Sequence, residues 1–306
     1  MLKPSSFNIQ HSTLNIEHSG FFSRTSSLKT ACSSFILIPV EWIFALAALA
    51  LGAIIGSFLN VVIHRYPREE SIVFPASRCP TCHQAIKPYD NVPVLSWLWL
   101  RGRCRNCRQP ISLRYPLVEL ANGLFYLALY QRTGPTIAFL PLAALVSMTI
   151  VLIYIDAEIQ MLPDVITYSG LAIGLGAAAL GIAGLAPDLM LAEDWVSAVI
   201  GAVVGGGTLA ALILAYWLIR KVEGMGWGDV KMIAMIGALL GFAGLPPLLL
   251  ISSVTGAAVG IPLAMRHEKG MQVALPFGVF LGFGTLILLF FGRTLSSLWV
   301  QLVLPH

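Results

Sequence analysis

The stretch from Trp42 to Ile63 constrains this chain most: 22 consecutive residues without a charge. About 20 apolar residues in a helix cross the hydrocarbon of a bilayer. Inside lipid the backbone must bond to itself, so an unbroken apolar run that does not alternate reads as a helix. Further apolar runs cover approximately 117–131, 136–155, 164–185, 195–219, 230–243, 245–265 and 275–292. The second and sixth of the eight runs are short, and Gly244 with Pro246-Pro247 marks a tight turn between 230–243 and 245–265. Only 11% of the residues are charged and the mean hydropathy is +0.80, whereas about 25% are charged in an average soluble domain. The expected fold is therefore an all-α polytopic membrane protein with about eight transmembrane helices. A soluble two-domain fold is excluded, and a net charge of only +4 gives nucleic-acid binding no support.

Residues 1–34 are polar, without apolar periodicity, and read as a disordered tail or a mis-assigned start. No removable secretory signal is evident, because the apolar run that follows is too long for one. The expected division is then 35–63 for the first transmembrane helix, 64–116 for a polar loop, and 117–306 for a membrane core. Nine of the 19 Lys/Arg fall in 64–116. Placing that loop in the cytoplasm by the positive-inside rule also puts 156–163, 220–229 and 266–274 inside. After the first span, Arg132 and Arg293 are then the only basic residues on the outer side, where Asp188, Glu193 and Asp194 also lie.

The loop holds four of the five cysteines. Cys79-Pro80-Thr81-Cys82 and Cys104-Arg105-Asn106-Cys107 give C-x2-C-x21-C-x2-C, slightly wider than the common spacing of about 15–20 residues between zinc-binding pairs. Each CxxC turn offers two sulfurs to a tetrahedral ion, and a reducing compartment disfavours disulfides. The expected ligand is a structural Zn2+, because four thiolates leave no open position for chemistry. Redox thiols or unpaired cysteines are the alternatives. His83 is superfluous as a ligand and reads as a surface residue.

The cytoplasmic side also gathers acids. Asp156-Ala157-Glu158 through Pro163-Asp164 joins the third and fourth spans, and Gly224-Met225-Gly226-Trp227-Gly228-Asp229-Val230-Lys231 joins the fifth and sixth. A carboxylate at the hydrocarbon boundary is costly and points to function. For Asp229 and Asp164, each at a helix start, capping is the competing reading. Asp156 ends a span, where the helix dipole gives an anion nothing. There is no HExxH and no GxSxG, which leaves poor support for zinc- or serine-type proteolysis. Two carboxylates that share a proton can instead activate water, one as base and the other as acid. Asp156, Glu158, Asp164 and Asp229 are the candidates. Gly226 and Gly228 either let backbone approach a substrate closely or form a hinge. Lys231 either favours an ionised Asp229 or snorkels as an anchor. Glu119 reads as support between loop and helix.

Taken in order, Gly56-Ser57-Phe58-Leu59-Asn60, the paired CxxC motifs, Tyr89 to Trp97, Arg114-Tyr115-Pro116-Leu117-Val118-Glu119, Asp156 to Asp164, Gly226-Trp227-Gly228-Asp229 and Leu275-Pro276-Phe277-Gly278 resemble the bacterial type IV prepilin peptidases, GxGD-class aspartyl proteases. The resemblance covers about residues 40–285. It implies catalytic aspartates at Asp156 and Asp229, with Asp164 outside the pair. It implies cleavage of type IV prepilins or type II secretion pseudopilins after a glycine at the cytoplasmic face of the inner membrane. It also implies methylation of the new N-terminal residue from S-adenosylmethionine, an activity tied to the 64–116 loop. No GxGxxG fingerprint locates that second site. A Tad-type peptidase, a non-enzymatic assembly factor and a transporter are the other readings. The last conflicts with charges gathered at one face rather than at the midplane.

Overall fold

A computed structural model describes residues 39–221, 226–266 and 275–303. The tail 1–34, Gly224-Met225 and most of the 266–274 loop lie outside the described residues. Each of the eight apolar runs contains a helix of at least 14 residues: α1 (Val40–Arg65), α3 (Arg114–Thr133), α4 (Phe139–Ile159), α5 (Asp164–Ala179), α7 (Trp195–Arg220), α8 (Trp227–Leu240), α9 (Leu245–Arg266) and α10 (Phe277–Val303). Two short helices complete the set, α2 (Leu95–Trp99) in the loop and α6 (Ile182–Leu185) after α5. Among the described residues there are isolated β-bridges but no strand.

Five helices, α1, α4, α7, α9 and α10, are long and apolar enough to cross a membrane. Polar residues such as Arg114, Glu119 and Arg132 dilute α3. At 1.5 Å per residue, α5 and α8 reach only about 24 and 21 Å, short of a hydrocarbon core of about 30 Å. The run 164–185, expected as one span, is divided. Gly181, one residue beyond the Leu180 C-cap of α5, takes the left-handed conformation (φ +65°) and turns the chain into α6, the usual work of glycine beyond a helix end.

The helices approach closely through small residues and polar pairs, as expected where lipid gives no hydrophobic drive between them. On α1, a Cβ added at Gly56 would lie 2.7 Å from Glu119 Cα, and one at Gly52 would lie 2.8 Å from Gly123 Cα, so α3 seats against bare backbone. Asn60 Nδ2 donates to Tyr115 O at 3.1 Å and Asn122 Nδ2 to Gly52 O at 2.7 Å. Ser147 on α4 donates to Asn122 Oδ1 at 2.9 Å and lies 3.0 Å from Tyr126 Oη, extending the polar seam to a third helix. At the far end, Arg132 and Arg293 donate to backbone carbonyls of Asp188 and Leu189, tying the 186–194 segment to the bundle.

Short α8 lies at the centre, packed by α5, α7 and α10. Its residues from Met232 to Leu240 are nearly all buried. In the first turn of α8 Trp227 is exposed, but Asp229 turns inward and is buried.

Candidate active site

Asp156 occupies the last turn of α4 and is 4% exposed. Its Oδ2 accepts the N–H of Val279 at 3.0 Å. Val279 is the third residue of α10, so the carboxylate satisfies one of the amides that every helix start leaves without an internal partner. The approach needs Gly278, since a Cβ there would lie 2.8 Å from Asp156 Oδ2 and 3.0 Å from Cγ.

Asp229 is the third residue of α8 and is 9% exposed. Gly226, not Asp229, holds the N-cap position, and no side chain caps the helix. The capping alternative for Asp229 therefore fails. The two carboxylates are electrostatic neighbours. Leu162, from the connection between α4 and α5, lies against both supporting backbones: a Cβ at Gly228 would be 2.9 Å from its Cβ, and one at Gly278 3.2 Å from its Cδ1. The end of α4, the starts of α8 and α10, and Leu162 thus converge on one place.

Other expectations change. Asp164 is the first residue of α5 after Pro163 and makes no cap; it bonds Lys231 Nζ at 2.6 Å on the surface. Lys231 is paired with Asp164 and lies over the Tyr168 ring at 5.6 Å, so its ammonium is directed to a surface carboxylate rather than to Asp229. Gly228 makes room for Leu162, whereas a Cβ at Gly226 would meet only Gly228 N, at 3.9 Å. Glu158 is paired with Arg114 at the head of α3, joining the loop's end to the helix that carries Asp156. Glu119 does support the loop, its Oε2 accepting Val94 N–H at 2.7 Å. Gly278, Val279 and Leu162 were not singled out as site residues in the sequence. The Leu275-Pro276-Phe277-Gly278 motif was visible, but nothing local connects it to Asp156.

The four cysteine sulfurs lie within 4.8 Å of one another, with Cys79 to Cys107 at 3.7 Å and Cys82 to Cys104 at 4.0 Å. Sulfurs about 2.3 Å from a tetrahedral ion sit about 3.8 Å apart, so the cage fits a metal such as zinc. The two knuckles repeat residue for residue. Cys79 and Cys104 donate from N–H to Gln84 O and Gln109 O, and accept from His83 and Arg108 at their carbonyls. His83 (φ +57°) and Arg108 (φ +61°) both turn left-handed, and bridges Arg78–Ala85 and Arg103–Pro110 close each turn. The Gln84 N–H and the Asn106 side chain pull the Cys82 thiol down to about 6, and the N–H groups of Cys107 and Asn106 lower Cys104. At Cys107 the Gln109 N–H pulls the same way, but burial and the other three thiols prevail and push it up to about 11. Four sulfurs this close cannot all ionise without a cation between them. Arg105 clamps Asp90 through Nε at 2.8 Å and Nη2 at 2.6 Å, which holds that carboxyl below its usual range and ties the second knuckle to the Pro88–Asp90 turn.

Comparison with known proteins separates the same two parts. Residues 50–133 match the bacterial peptidase A24 N-terminal domain, and residues 143–261 match the type IV leader peptidase family. A prepilin leader peptidase/N-methyltransferase of Burkholderia pseudomallei (strain 1026b) is 36% identical over 285 residues, 85% of this chain and 89% of that protein. One from Pseudomonas putida is 38% identical over 85% of this chain and 95% of its own length. Another, from Myxococcus xanthus (strain DK1622), is 42% identical over 74% of this chain and 65% of its own. No solved structure matches. The loop matches one family domain, the aspartate-bearing helices match the other, and relatives align along most of their length: this chain belongs to the type IV leader peptidase family.

Proposed function

We propose that this integral membrane enzyme cleaves the basic leader from type IV prepilins or type II secretion pseudopilins and then methylates the new N-terminus. The relatives named prepilin leader peptidase/N-methyltransferase support both activities. The observation that carries the peptidase reading is the meeting of two buried acids, Asp156 and Asp229, at the adjoining ends of α4 and α8. In this mechanism the pair shares one proton and holds a water against the scissile carbonyl. One carboxylate takes the water's proton while the other protonates the carbonyl oxygen, and the roles reverse as the amine leaves. Val279 N–H and Gly278 keep Asp156 facing the shared space.

The loop 64–116 forms the metal-bearing part and 117–306 the peptidase core. Zn2+ is held by Cys79, Cys82, Cys104 and Cys107, where it supplies shape rather than chemistry. The protein lies in the bacterial inner membrane with Asp156 and Asp229 toward the cytoplasm, the side to which the basic loop assigns them. S-adenosylmethionine is the co-substrate for methylation.

Incubating the purified protein with a cognate prepilin and S-adenosylmethionine tests the reading. Mass spectrometry should find the leader gone after a glycine and one methyl added to the new N-terminus. An uncleaved prepilin would overturn it. The metal assignment has its own test. Elemental analysis should find about one zinc per chain, and Cys79→Ser with Cys82→Ser should remove it and expose the arginine-rich loop to trypsin. Unchanged zinc in that variant refutes the site.

A further inference from the structure

The polypeptide between α1 and α3 descends alongside these helices instead of standing clear of them. α1 and α3 run antiparallel in fixed register, Asn60 beside Tyr115, Gly56 beside Glu119 and Gly52 beside Gly123. Gly56 lies nine residues before Arg65, the end of α1. The Glu119 level is therefore about 13 Å below that end, at 1.5 Å per residue. At this level Glu119 Oε2 binds the N–H of Val94, the residue that leads into α2. The same stretch of the loop also lies along α1. Asn91 and Pro93 line a groove of about 270 Å³ whose α1 wall runs from Ile54 through Phe58 and Val61 to Arg65. Irregular backbone at such depth persists only where protein or a polar cavity covers its amides. Glu119 provides that cover for the Val94 amide.

α2 itself has two sides. Trp97 faces the loop: its indole N–H donates to Ile111 O at 3.2 Å, and its ring covers Gly102, where a Cβ would come within 2.7 Å. Leu95, Leu98 and Trp99 face away, 66%, 58% and 83% exposed. Arg101 and Arg103 follow immediately, both exposed. An apolar face below the end of α1, with a tryptophan at its edge and arginines next to it, has the composition of an interfacial anchor.

We propose that α2 is a re-entrant anchor seated in the membrane interface, with phospholipid as its partner. Acyl chains cover Leu95, Leu98 and Trp99, and headgroup phosphates meet Arg101 and Arg103. This surface continues the lipid-facing side of the bundle, where Ile54 and Phe58 on α1 and Leu117, Leu120 and Leu124 on α3 are also exposed. The two CxxC knuckles flank α2 in the chain, so seating α2 fixes the metal-bearing loop against the bilayer. This assignment is independent of the peptidase reading.

Photocrosslinking of the full chain in phospholipid vesicles tests it. Leu98→p-benzoylphenylalanine and Trp99→p-benzoylphenylalanine place the reporter on the exposed face. The same residue at Leu124 is the lipid-facing reference, and at His83 the water-facing one. Mass spectrometry should find phospholipid adducts at 98 and 99 in yields like those at 124 and several-fold above those at 83. Adducts only to protein, from another chain or another segment of this one, overturn the proposal, as does a lipid yield no greater than at His83. Trp99→Phe gives a second readout: it should remove part of the fluorescence quenching produced by acyl-brominated lipids. Unchanged quenching counts against the seat.

Discussion

Asp156→Asn and Asp229→Asn will each lower prepilin cleavage by about 10³-fold or more, the scale set by losing one member of an acid–base pair that works as a unit. Neither replacement changes side-chain volume, and in Asp156→Asn the amide oxygen can still accept the Val279 N–H. The fold and the metal content should therefore survive, and the loss will fall on turnover. Asp164→Asn is the contrasting case. Its carboxylate is 58% exposed and joined only to Lys231 on the surface, an arrangement worth at most about 1 kcal/mol. That variant should retain most activity. The measurement is the rate of leader release by a purified, correctly folded variant, followed by mass spectrometry. Full activity in Asp156→Asn or Asp229→Asn removes the assignment, and a dead Asp164→Asn removes the choice between the acids.

The sequence was most informative where one local rule was enough. Long apolar runs specified helices because a lipid environment leaves the backbone no other internal pairing, and all eight runs are helical. The CxxC spacing announced a thiol cage because each knuckle is set by its own short turn, and the cage is there. What the sequence left open depended on partners far along the chain. Asp229 and Asp164 both sit at helix starts, where capping is a fair local expectation, yet neither caps its helix. Lys231 is two residues from Asp229, but its partner is Asp164, 67 residues away. Hydropathy alone hid the division of 164–185, because Gly181 is a single residue in an apolar run and its φ of +65° turns the chain. The α10 amide that holds Asp156 lies 123 residues from it. Helix order places two acids on one face, but it does not say which backbone will orient them.

That missed partner leads to the second large effect. Gly278→Ala will reduce turnover by about 10²-fold, because a misplacement of about 1 Å in a catalytic group carries roughly that penalty. The added Cβ would lie 2.8 Å from Asp156 Oδ2 and 3.2 Å from Leu162 Cδ1. The start of α10 cannot retreat freely, because its Val279 N–H is the group bonded to that same carboxylate. Leu162 is confined on its other side by Gly228. The strain therefore falls on the Asp156 side chain, the one part of the contact that can swing away, and swinging away turns it from Asp229. The loss should appear in kcat with KM little changed, since the substrate's helix need not touch Gly278. Gly176→Ala, in α5 with nothing within 4 Å of the added carbon, should leave activity intact and raise stability by about 0.5–1 kcal/mol. If Gly278→Ala cleaves at the unmodified rate, the start of α10 does not position Asp156. If it loses activity only by unfolding, with zinc lost and melting lowered, the residue serves packing alone. Retained zinc and melting with kcat reduced is the result that assigns Gly278 to the positioning of the aspartate.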